Sequence, residues 1–304
     1  MEYPHRVRIF EVGPRDGLQN ESANVSVADK VQLIESLVDA GIRDIECGSF
    51  VSPKWVPQMA DSGRVLSTVH RVRGVIYSAL VPNTQGLSAA RAAGADEIAI
   101  FTAASETFSQ RNINCSIAES LERLKSVAAD CRAHDLPLRG YVSCVLGCPY
   151  EGGDIAPARV AEVARALYEM GCYEVSLGDT IGVGTPVKTQ RMIETVATEI
   201  PLASIAVHFH DTWAQALANI LASLQLGIST VDSSVAGLGG CPYAPGAAGN
   251  VATEDVVYML NGMGIETGVD LGKVAQAGRA ICRTLGRRPT SKVAVALEAG
   301  STRT

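Results

Sequence analysis

Apolar and polar residues along the chain alternate between two periodicities. Short apolar runs of strand length are separated by longer stretches in which apolar residues recur every three to four positions, as on one face of a helix. The apolar runs predict eight strands, near residues 7–12, 42–47, 74–81, 96–101, 138–145, 172–177, 204–210 and 229–235. The helical patterns lie near residues 28–40, 57–69, 84–93, 116–134, 157–170, 186–199 and 213–226, with two more near 251–263 and 270–286.

Four of the predicted junctions from helix to strand share the same design. Gly41, Gly94, Gly171 and Gly227 each end a helical pattern directly before an apolar strand. A glycine just past a helix can take the left-handed conformation that satisfies the last carbonyl groups. A strand that follows within a few residues is the second half of a βαβ unit. These junctions are repeats of architecture, with little sequence identity between them.

The number and order of the elements predict the fold class. Eight strand–helix units without a linker or low-complexity break indicate an α/β fold of the (β/α)₈ TIM-barrel type. We expect residues 1–304 to form a single catalytic domain, with residues 264–304 as a C-terminal helical cover. A doubly wound open sheet is the alternative, but no GxGxxG segment follows the first strand and a count of eight favours closure.

The amino-acid composition disfavours several classes of binding partner and structure. The chain has 304 residues, of which 47% are apolar and 19% charged, and no apolar run is long enough to span a bilayer. A net charge of −6, without basic runs interleaved with aromatics, disfavours nucleic acid. Eight cysteines without paired CxxC spacing indicate neither a disulfide scaffold nor a zinc knuckle. We expect a cytoplasmic protein without a targeting peptide, because the first strand pattern begins by Val7.

Reactive and polar residues recur at the predicted strand ends. In barrels of this type the active site lies at the carboxyl ends of the strands, on the loops that lead into helices. The residues found there, in chain order, are Arg15, Asp16, Glu46, Ser105, Tyr141, Asp179, His208, His210 and Cys241. We therefore predict that they share one face of the barrel and form its active site.

The segment HFHDT, residues 208–212, suggests a metal site. Alternate residues of a strand point to the same side, so His208 and His210 are both expected to face the barrel mouth. Paired histidines also occur as ordinary core or surface residues, but two adjacent imidazoles can chelate a divalent cation. Asp16 and Asn250 would add oxygen ligands at the same mouth. This mixed set suits Mg²⁺ or Mn²⁺, and zinc is possible.

Three charged residues have both a catalytic and a structural interpretation. GPRDG places Arg15 in a tight turn, where its guanidinium could stabilise an anionic oxygen or merely pair with a carboxylate. Glu46 is expected to be buried, which is costly unless a partner such as Arg15 balances it. Asp179, in GDTIG, either orients a histidine or caps a helix.

The loop at residues 237–250, GLGGCPYAPGAAGN, carries one thiol, Cys241, among five glycines and two prolines. Glycine allows close approach to a ligand and permits hinge motion, so the composition suits a loop that carries a reactive group over a site. The alternative interpretation is a buried, unreactive cysteine in a surface turn.

Seven segments resemble the metal-dependent lyase and synthase barrels, and among them the family of 3-hydroxy-3-methylglutaryl-CoA lyases. The resemblance runs from about residue 8 to residue 262. The segments are EVGPRDGLQNE (11–21), SFVSPKWVPQMAD (49–61), NINCSIAES (112–120), SCVLGCPYEGG (143–153), GDTIGVGTP (178–186), HFHDT and GLGGCPYAPGAAGNVATEDVVYML (237–260). The last segment contains the cysteine-loop signature of that family.

The resemblance implies specific roles and a reaction. The implied ligands of Mg²⁺ or Mn²⁺ are Asp16, His208, His210 and Asn250. The implied catalytic residues are Arg15, Glu46, Asp179 and Cys241, and the implied substrate contacts are Arg15, Ser49, Ser105 and Tyr141. The implied enzyme is a homodimer that takes a small-molecule acyl-CoA in leucine degradation and ketone-body formation. It splits 3-hydroxy-3-methylglutaryl-CoA into acetoacetate and acetyl-CoA by retro-Claisen chemistry.

That reaction requires a base, an enolate stabiliser and an acid. Asp179 or Glu46 would take the hydroxyl proton, Arg15 would stabilise the enolate oxygen, and Cys241 would return a proton to the enolate carbon.

The sequence also departs from that family's usual pattern. Trp213 and Ala214 replace a usual Tyr-Gly, Cys47 stands in an altered ECGS segment, and Ser22 occupies a position where a lysine is common. A lyase for a related 3-hydroxyacyl-CoA is therefore an alternative. A Claisen synthase of the same superfamily is disfavoured, because those relatives carry a long C-terminal extension. A catalytically idle metal-binding barrel would differ by lacking metal-dependent turnover.

Overall fold

Eight parallel strands close into a barrel in chain order, and the last strand pairs with the first. The computed structural model describes residues 3–240 and 249–301. The strands are β1 (Arg8–Glu11), β2 (Asp44–Ser49), β3 (Ile76–Leu80), β4 (Glu97–Ala103), β5 (Leu138–Ser143), β6 (Glu174–Asp179), β7 (Ile205–Phe209) and β8 (Thr230–Ser233). The predicted TIM barrel is confirmed, and each strand falls within a few residues of its predicted position.

Helices surround the barrel and follow the strands. They are α1 (Val27–Asp39), α2 (Ser62–Thr68), α3 (Thr84–Ala92), α4 (Glu106–Ile113), α5 (Ile117–Ala133), α6 (Pro157–Met170), α7 (Pro186–Val196), α8 (Ala216–Leu224), α9 (Thr253–Gly262), α10 (Leu271–Thr284) and α11 (Lys292–Ser301). Helix α4 was not predicted as a separate helix, because its sequence ETFSQRNI is mostly polar. Helix α11 lies inside the predicted cover and was not predicted separately either.

The four helix-to-strand junctions have the predicted backbone conformation. Gly41, Gly94, Gly171 and Gly227 have φ values of 101°, 87°, 114° and 98°. At Gly41 the close packing adds a second requirement, because a Cβ would lie 2.2 Å from the Gly268 carbonyl oxygen. The glycines therefore allow each chain reversal to be both left-handed and short.

The C-terminal segment packs against the helical layer and the N-terminal end of the barrel. Helix α10 packs on α1 and α9, and α11 packs on α9 and α10. The Val7 amide donates to the Glu266 carbonyl at 2.9 Å, and the Glu266 amide donates to the His5 carbonyl at 3.0 Å. The prediction that residues 264–304 cover a single domain stays a prediction. Within residues 3–240 and 249–301, the helices are all too short or too polar to traverse a lipid bilayer.

Helix α8 begins three residues later than its predicted start at residue 213. Ala214 has a φ of 57°, in the left-handed region, which interrupts a helix. The amide of Ala216, the first residue of the helix, donates a hydrogen bond to the Asp211 carboxylate at 3.0 Å. The spacing of apolar residues in this segment predicted the helix, but it did not predict the turn at Ala214 that precedes the helix.

Replacing Ala214 by glycine should stabilise the protein. A non-glycine residue in the left-handed region carries strain, so we expect Ala214→Gly to raise the free energy of unfolding by about 1 kcal/mol. Urea unfolding followed by circular dichroism measures the change. Ala89→Gly, at an exposed position inside α3, is the matched control and should instead lose about 1 kcal/mol. Equal losses in both variants would contradict the strain at Ala214.

Candidate active site

The turn after β1 is a single π-helical turn, Gly13–Gly17, with the sequence GPRDG. Such turns are rare and are frequently found at functional sites. The Glu11 carboxylate holds this turn, because one oxygen accepts from the Gly13 amide at 2.8 Å and from the Val235 amide at 2.9 Å. Both glycines fit closely against the neighbouring backbone and side chains: a Cβ at Gly13 would lie 2.5 Å from Glu11 Oε1, and one at Gly17 2.7 Å from Leu238 Cβ. The turn is therefore fixed against the segment that follows β8.

Arg15 lies between two carboxylates at the barrel mouth. Its Nη1 donates to Asp16 Oδ1 at 2.5 Å, and its Nε donates to Glu46 Oε2. Glu46 is fully buried, and its other oxygen, Oε1, has no hydrogen-bond partner among the described residues. The predicted pairing of Glu46 with Arg15 is thus present in the structure, and one carboxylate oxygen remains open.

Asp16, His208 and His210 form a possible metal site. One potential ligand atom from each lies within 4.8 Å of the others. Asn250 joins them, because its amide nitrogen donates to Asp16 Oδ2 at 2.8 Å. The backbone of Asn250 pairs with that of His210, while flanking bonds run from Asp211 N to Gly249 O at 2.7 Å and from Val251 N to Phe209 O at 3.1 Å. The four predicted ligand residues are therefore adjacent.

The charges around the site favour an anionic aspartate and a neutral histidine. Burial opposes ionisation of Asp16, but Arg15 and then the two histidines hold the pKa of its carboxyl below the usual range. Burial, followed by the neighbouring His208, lowers the pKa of His210 to about 4. The His210 Nδ1 atom is buried and has no hydrogen-bond partner in residues 3–240 or 249–301. An unprotonated imidazole nitrogen without a partner is what a cation requires of a ligand.

Tyr141 lies beneath the same group of side chains. The Arg15 guanidinium carbon is 5.5 Å from the centroid of its ring, and the ring of His208 meets it edge-on at 6.0 Å. Its hydroxyl is buried without a hydrogen-bond partner in the described part of the chain. Burial, followed by the charge of Glu46, raises the pKa of Tyr141 well above its ordinary value. The structure therefore brings Tyr141 to the site as an uncharged hydroxyl.

Asp179 is at the mouth, but its oxygens are engaged by the loop that follows β6. The amide of Gly184 donates to Oδ2 at 2.8 Å, and the amide of Val183 donates to Oδ1 at 3.2 Å. Burial raises the pKa of Asp179 to about 6, although these backbone bonds act in the opposite direction. His208 is close enough to lower this pKa as well. Asp179 thus orders a loop and faces the site.

The two serines predicted to contact substrate have local partners. The Ser49 hydroxyl accepts from the Val51 amide at 3.3 Å. The Ser105 hydroxyl caps α4 through the Phe108 amide at 3.1 Å and donates to Glu151 at 2.8 Å. Their substrate-binding roles stay predictions.

Cys241 lies outside the described residues, and its catalytic role is also a prediction. The described residues on either side of residues 241–248 meet each other. A Cβ on Gly249 would lie 2.9 Å from the Gly239 carbonyl carbon. Only glycine permits this approach of two backbone segments.

Several residues that were not predicted from the sequence support the site. Gln19, which lies two residues after the turn, donates to Asp16 Oδ1 at 3.0 Å. Both oxygens of Glu254 accept from the amide of Ala236, at 3.0 and 2.8 Å. Ala236 has a φ of 58°, so Glu254 anchors a left-handed residue of the segment after β8. Strands buried on both faces are usually apolar, so a charged residue within one, such as Asp232 in β8, is a sign in the sequence that a buried polar contact exists.

The fold and the site together are typical of one class of protein, the TIM-barrel enzymes. A closed (β/α)₈ barrel carries a possible His/Asp metal site, an arginine and two buried carboxylates at the carboxyl ends of its strands. That is the end at which barrel enzymes place their catalytic residues.

Comparison with known proteins identifies the family. The HMGL-like family model matches residues 6–281, and the chain belongs to this family. It is 59% identical to the mitochondrial hydroxymethylglutaryl-CoA lyase of Gallus gallus, covering 97% of this chain and 98% of that protein. It is 60% identical to a 3-hydroxy-3-isohexenylglutaryl-CoA/hydroxy-methylglutaryl-CoA lyase of Pseudomonas aeruginosa, covering 98% and 99%.

Solved structures agree with these matches. The crystal structure of a hydroxymethylglutaryl-CoA lyase from Pseudomonas aeruginosa superposes with a TM-score of 0.97 at 59% identity, covering 99% of this chain and 100% of that one. An HMG-CoA lyase from Acinetobacter baumannii, in complex with coenzyme A and 3-methylmalate, superposes with a TM-score of 0.92 at 34% identity, covering 97% and 96%.

The two buried glutamates behind the site should make stability fall with rising pH. Burial raises the pKa of Glu11 to about 7 and that of Glu254 to about 8, from an ordinary value of 4.5. The folded state therefore favours their protonated forms. The stability they contribute is complete below the unfolded pKa and is lost as the pH rises through the folded values.

We expect the free energy of unfolding of the unmodified protein to fall between about pH 5 and about pH 8. Glu254→Gln keeps an acceptor for the Ala236 amide but does not titrate, so it should flatten this dependence. Urea unfolding at a series of pH values measures the slope. Glu122→Gln, at an exposed position of α5, is the control and should keep the full slope. An unchanged slope in Glu254→Gln would show that Glu254 ionises normally.

Proposed function

We propose that this protein is a divalent-metal-dependent lyase that cleaves 3-hydroxy-3-methylglutaryl-CoA into acetoacetate and acetyl-CoA. The observation that carries the proposal is the cluster of Asp16, His208, His210 and Asn250 beside Arg15 at the catalytic end of the barrel. Support comes from relatives about 60% identical over almost the whole chain, which bear the name of this activity.

The proposed cation is Mg²⁺ or Mn²⁺, held by Asp16, His208, His210 and Asn250. Two imidazoles, one carboxylate and one amide oxygen form a mixed donor set with no thiolate, which suits these ions. The unpartnered, buried Nδ1 of His210 fits a metal ligand. When bound, a divalent cation makes a coordinated hydroxyl more acidic and orients the substrate.

The remaining residues have the properties that carbon–carbon cleavage requires. Arg15 is the donor for the enolate oxygen, and Glu46 fixes its guanidinium in place. Asp179 and Glu46 are the two candidate bases. The pKa of Asp179, about 6, lies closer to neutral pH than is usual for a carboxyl group, and Glu46 keeps one oxygen, Oε1, without a hydrogen-bond partner among the described residues. Tyr141 offers an uncharged hydroxyl beneath the substrate.

Cys241 is proposed as the acid that returns a proton to the enolate carbon. Support for this role comes from the sequence of its loop and from the position of the flanking residues. Gly239 and Gly249 lie beside Asn250, whose side chain contacts Asp16 at the mouth.

A lyase for a longer 3-hydroxyacyl-CoA is the second candidate. The Pseudomonas aeruginosa relative carries 3-hydroxy-3-isohexenylglutaryl-CoA in its name beside the shorter substrate. Trp213, on the loop after β7, is 65% exposed at the barrel mouth and could contact such a chain. Comparing the two substrates with one preparation separates the candidates.

The proposal extends to the cellular setting. A homodimer in the reducing cytoplasm, acting in leucine breakdown, fits the expected function, and the seven described cysteines are buried and free. Sedimentation analysis of the purified protein tests the dimer.

Loss of one histidine should weaken metal binding before any chemistry is measured. We expect His210→Ala to lower the affinity for Mn²⁺ by about 100-fold or more, because it removes an inner ligand. Electron paramagnetic resonance of free Mn²⁺ in a titration measures this. His134→Ala, at the exposed end of α5, is the control and should bind as the unmodified protein does. Equal affinity in both variants would exclude this site.

The activity itself is tested by product release from 3-hydroxy-3-methylglutaryl-CoA with Mg²⁺ or Mn²⁺ and with chelator. We expect metal-dependent release, and a loss of about 10²–10³-fold in kcat for Arg15→Met, because the enolate loses its charged donor. Cys241→Ala should lose turnover but keep Mn²⁺ binding, since Cys241 is not a ligand. No release by folded, metal-loaded protein would reject this substrate. Full activity of Cys241→Ala would reject the role of the thiol.

A further inference from the structure

A column of paired charges runs through the inside of the barrel. From the N-terminal end, Arg8 pairs with Asp44 at 3.1 Å and with Glu174. Glu174 accepts from Arg139 Nε at 2.8 Å, and Arg139 in turn pairs with Asp232. Barrel interiors are ordinarily filled by layers of Val, Ile and Leu. A charged interior of this kind requires a reason beyond packing.

The upper end of the column meets a proposed metal ligand. Arg139 Nη2 and Nη1 donate to the two oxygens of Asp232 at 2.6 and 3.1 Å. Ser176 donates to Asp232 Oδ2 at 2.8 Å, and His208 Nδ1 lies 3.3 Å from the same oxygen. Asp232 is fully buried, and it stands opposite His208 in the β7–β8 pairing. The side chain is thereby held in one orientation from three directions.

This contact determines which nitrogen of His208 carries the proton. An ion-paired carboxylate only accepts hydrogen bonds, so His208 Nδ1 must be the donor. A neutral ring with its proton on Nδ1 has a free lone pair on Nε2. His208 Nε2 is the atom that faces Asp16, at 3.9 Å from Oδ2. The lone pair is therefore directed at the proposed cation site.

Burial makes the arrangement depend on Arg139. A buried carboxylate without a partner is destabilising, and Arg139 is fully buried beside it with a guanidinium that matches the two oxygens. The guanidinium carbon also lies 4.0 Å from the centroid of the Phe10 ring and 5.0 Å from that of Tyr141. These contacts leave Arg139 little freedom to move.

We propose that Asp232, held by Arg139, is a positioning residue that fixes His208 in the Nδ1–H tautomer and directs Nε2 to the cation site. A carboxylate behind a metal-bound histidine orients the ring and increases its basicity. The inference rests on the proposed metal site. Asp232 itself touches neither substrate nor metal, and it acts only through His208.

The tautomer is measured in the metal-free protein. ¹⁵N NMR of histidine-labelled protein distinguishes protonated from unprotonated ring nitrogens, and a His208→Asn variant assigns the signal among the five histidines. We expect His208 in the unmodified protein to show the Nδ1–H form alone. In Asp232→Asn the signal should shift toward a mixture of both tautomers.

Metal affinity gives the second readout. We expect Asp232→Asn to bind Mn²⁺ about 10- to 100-fold more weakly, as loss of a carboxylate behind a ligand typically does. The matched control is Asp44→Asn, which removes a carboxylate from the other end of the same column. It should keep both the tautomer and the affinity.

Asp232→Asn leaves the buried Arg139 with Glu174 as its remaining ion-pair partner among the described residues, and this loss of charge balance could prevent the variant from folding. The double variant Arg139→Met with Asp232→Val replaces the ion pair by apolar side chains, which the fold tolerates better than one unpaired charge. It should show the mixed tautomer and weak Mn²⁺ binding. An unchanged tautomer and affinity in either folded variant would overturn the inference. If the unmodified protein binds no Mn²⁺, the proposed metal site fails, while the tautomer measurement still tests Asp232.

Discussion

Charge buried inside the barrel is the constraint on which the rest of this structure depends. Each ion of the column is tolerated because the next one offsets it, from Asp44 at one end to Asp232 at the other, and at the mouth Arg15 offsets Asp16 and Glu46 in the same way. Removing one member of such a series leaves an uncompensated charge in a dry environment, which costs more than the pair contributes. Each member therefore depends on its direct partners. The upper end of the column, Asp232, contacts His208, which lies beside Asp16 in the candidate active site.

A second set of buried carboxylates holds the backbone that presents these charges. Glu11 joins the turn after β1 to the segment after β8, and its other oxygen accepts from the Thr253 hydroxyl at 2.6 Å. Glu254 holds the left-handed Ala236 of the same segment. Both glutamates accept hydrogen bonds from backbone amides that have no strand or helix partner. Their side chains therefore take the place of the backbone carbonyl groups that would accept these bonds in a regular element, at points where the chain turns sharply. The geometry of the turn carrying Arg15 thus depends on carboxyls distant from the chemistry.

The sequence predicted most of the fold and the mouth of the site, because both follow from local periodicity. Strand ends are visible in the apolar pattern, and alternation places His208 and His210 on one side. Asp232 and Arg139 were not predicted, because their contact crosses the barrel between β5 and β8 and depends on how the strands are staggered when the sheet closes. The start of α8 was wrong, because the conformation of Ala214 is set by its turn and not by its side chain.

The position of Asn250 shows how the fold holds a proposed metal ligand from several directions. Its side chain is fixed by Asp16 and by the Leu238 carbonyl at 3.3 Å, and its backbone is fixed by β7 through the neighbouring Gly249 and Val251. The backbones at Gly239 and Gly249 meet beside Asn250, an approach that only glycine permits. A proposed ligand is thus held by the turn after β1, by the segment after β8 and by β7, three parts of the chain that are far apart in sequence.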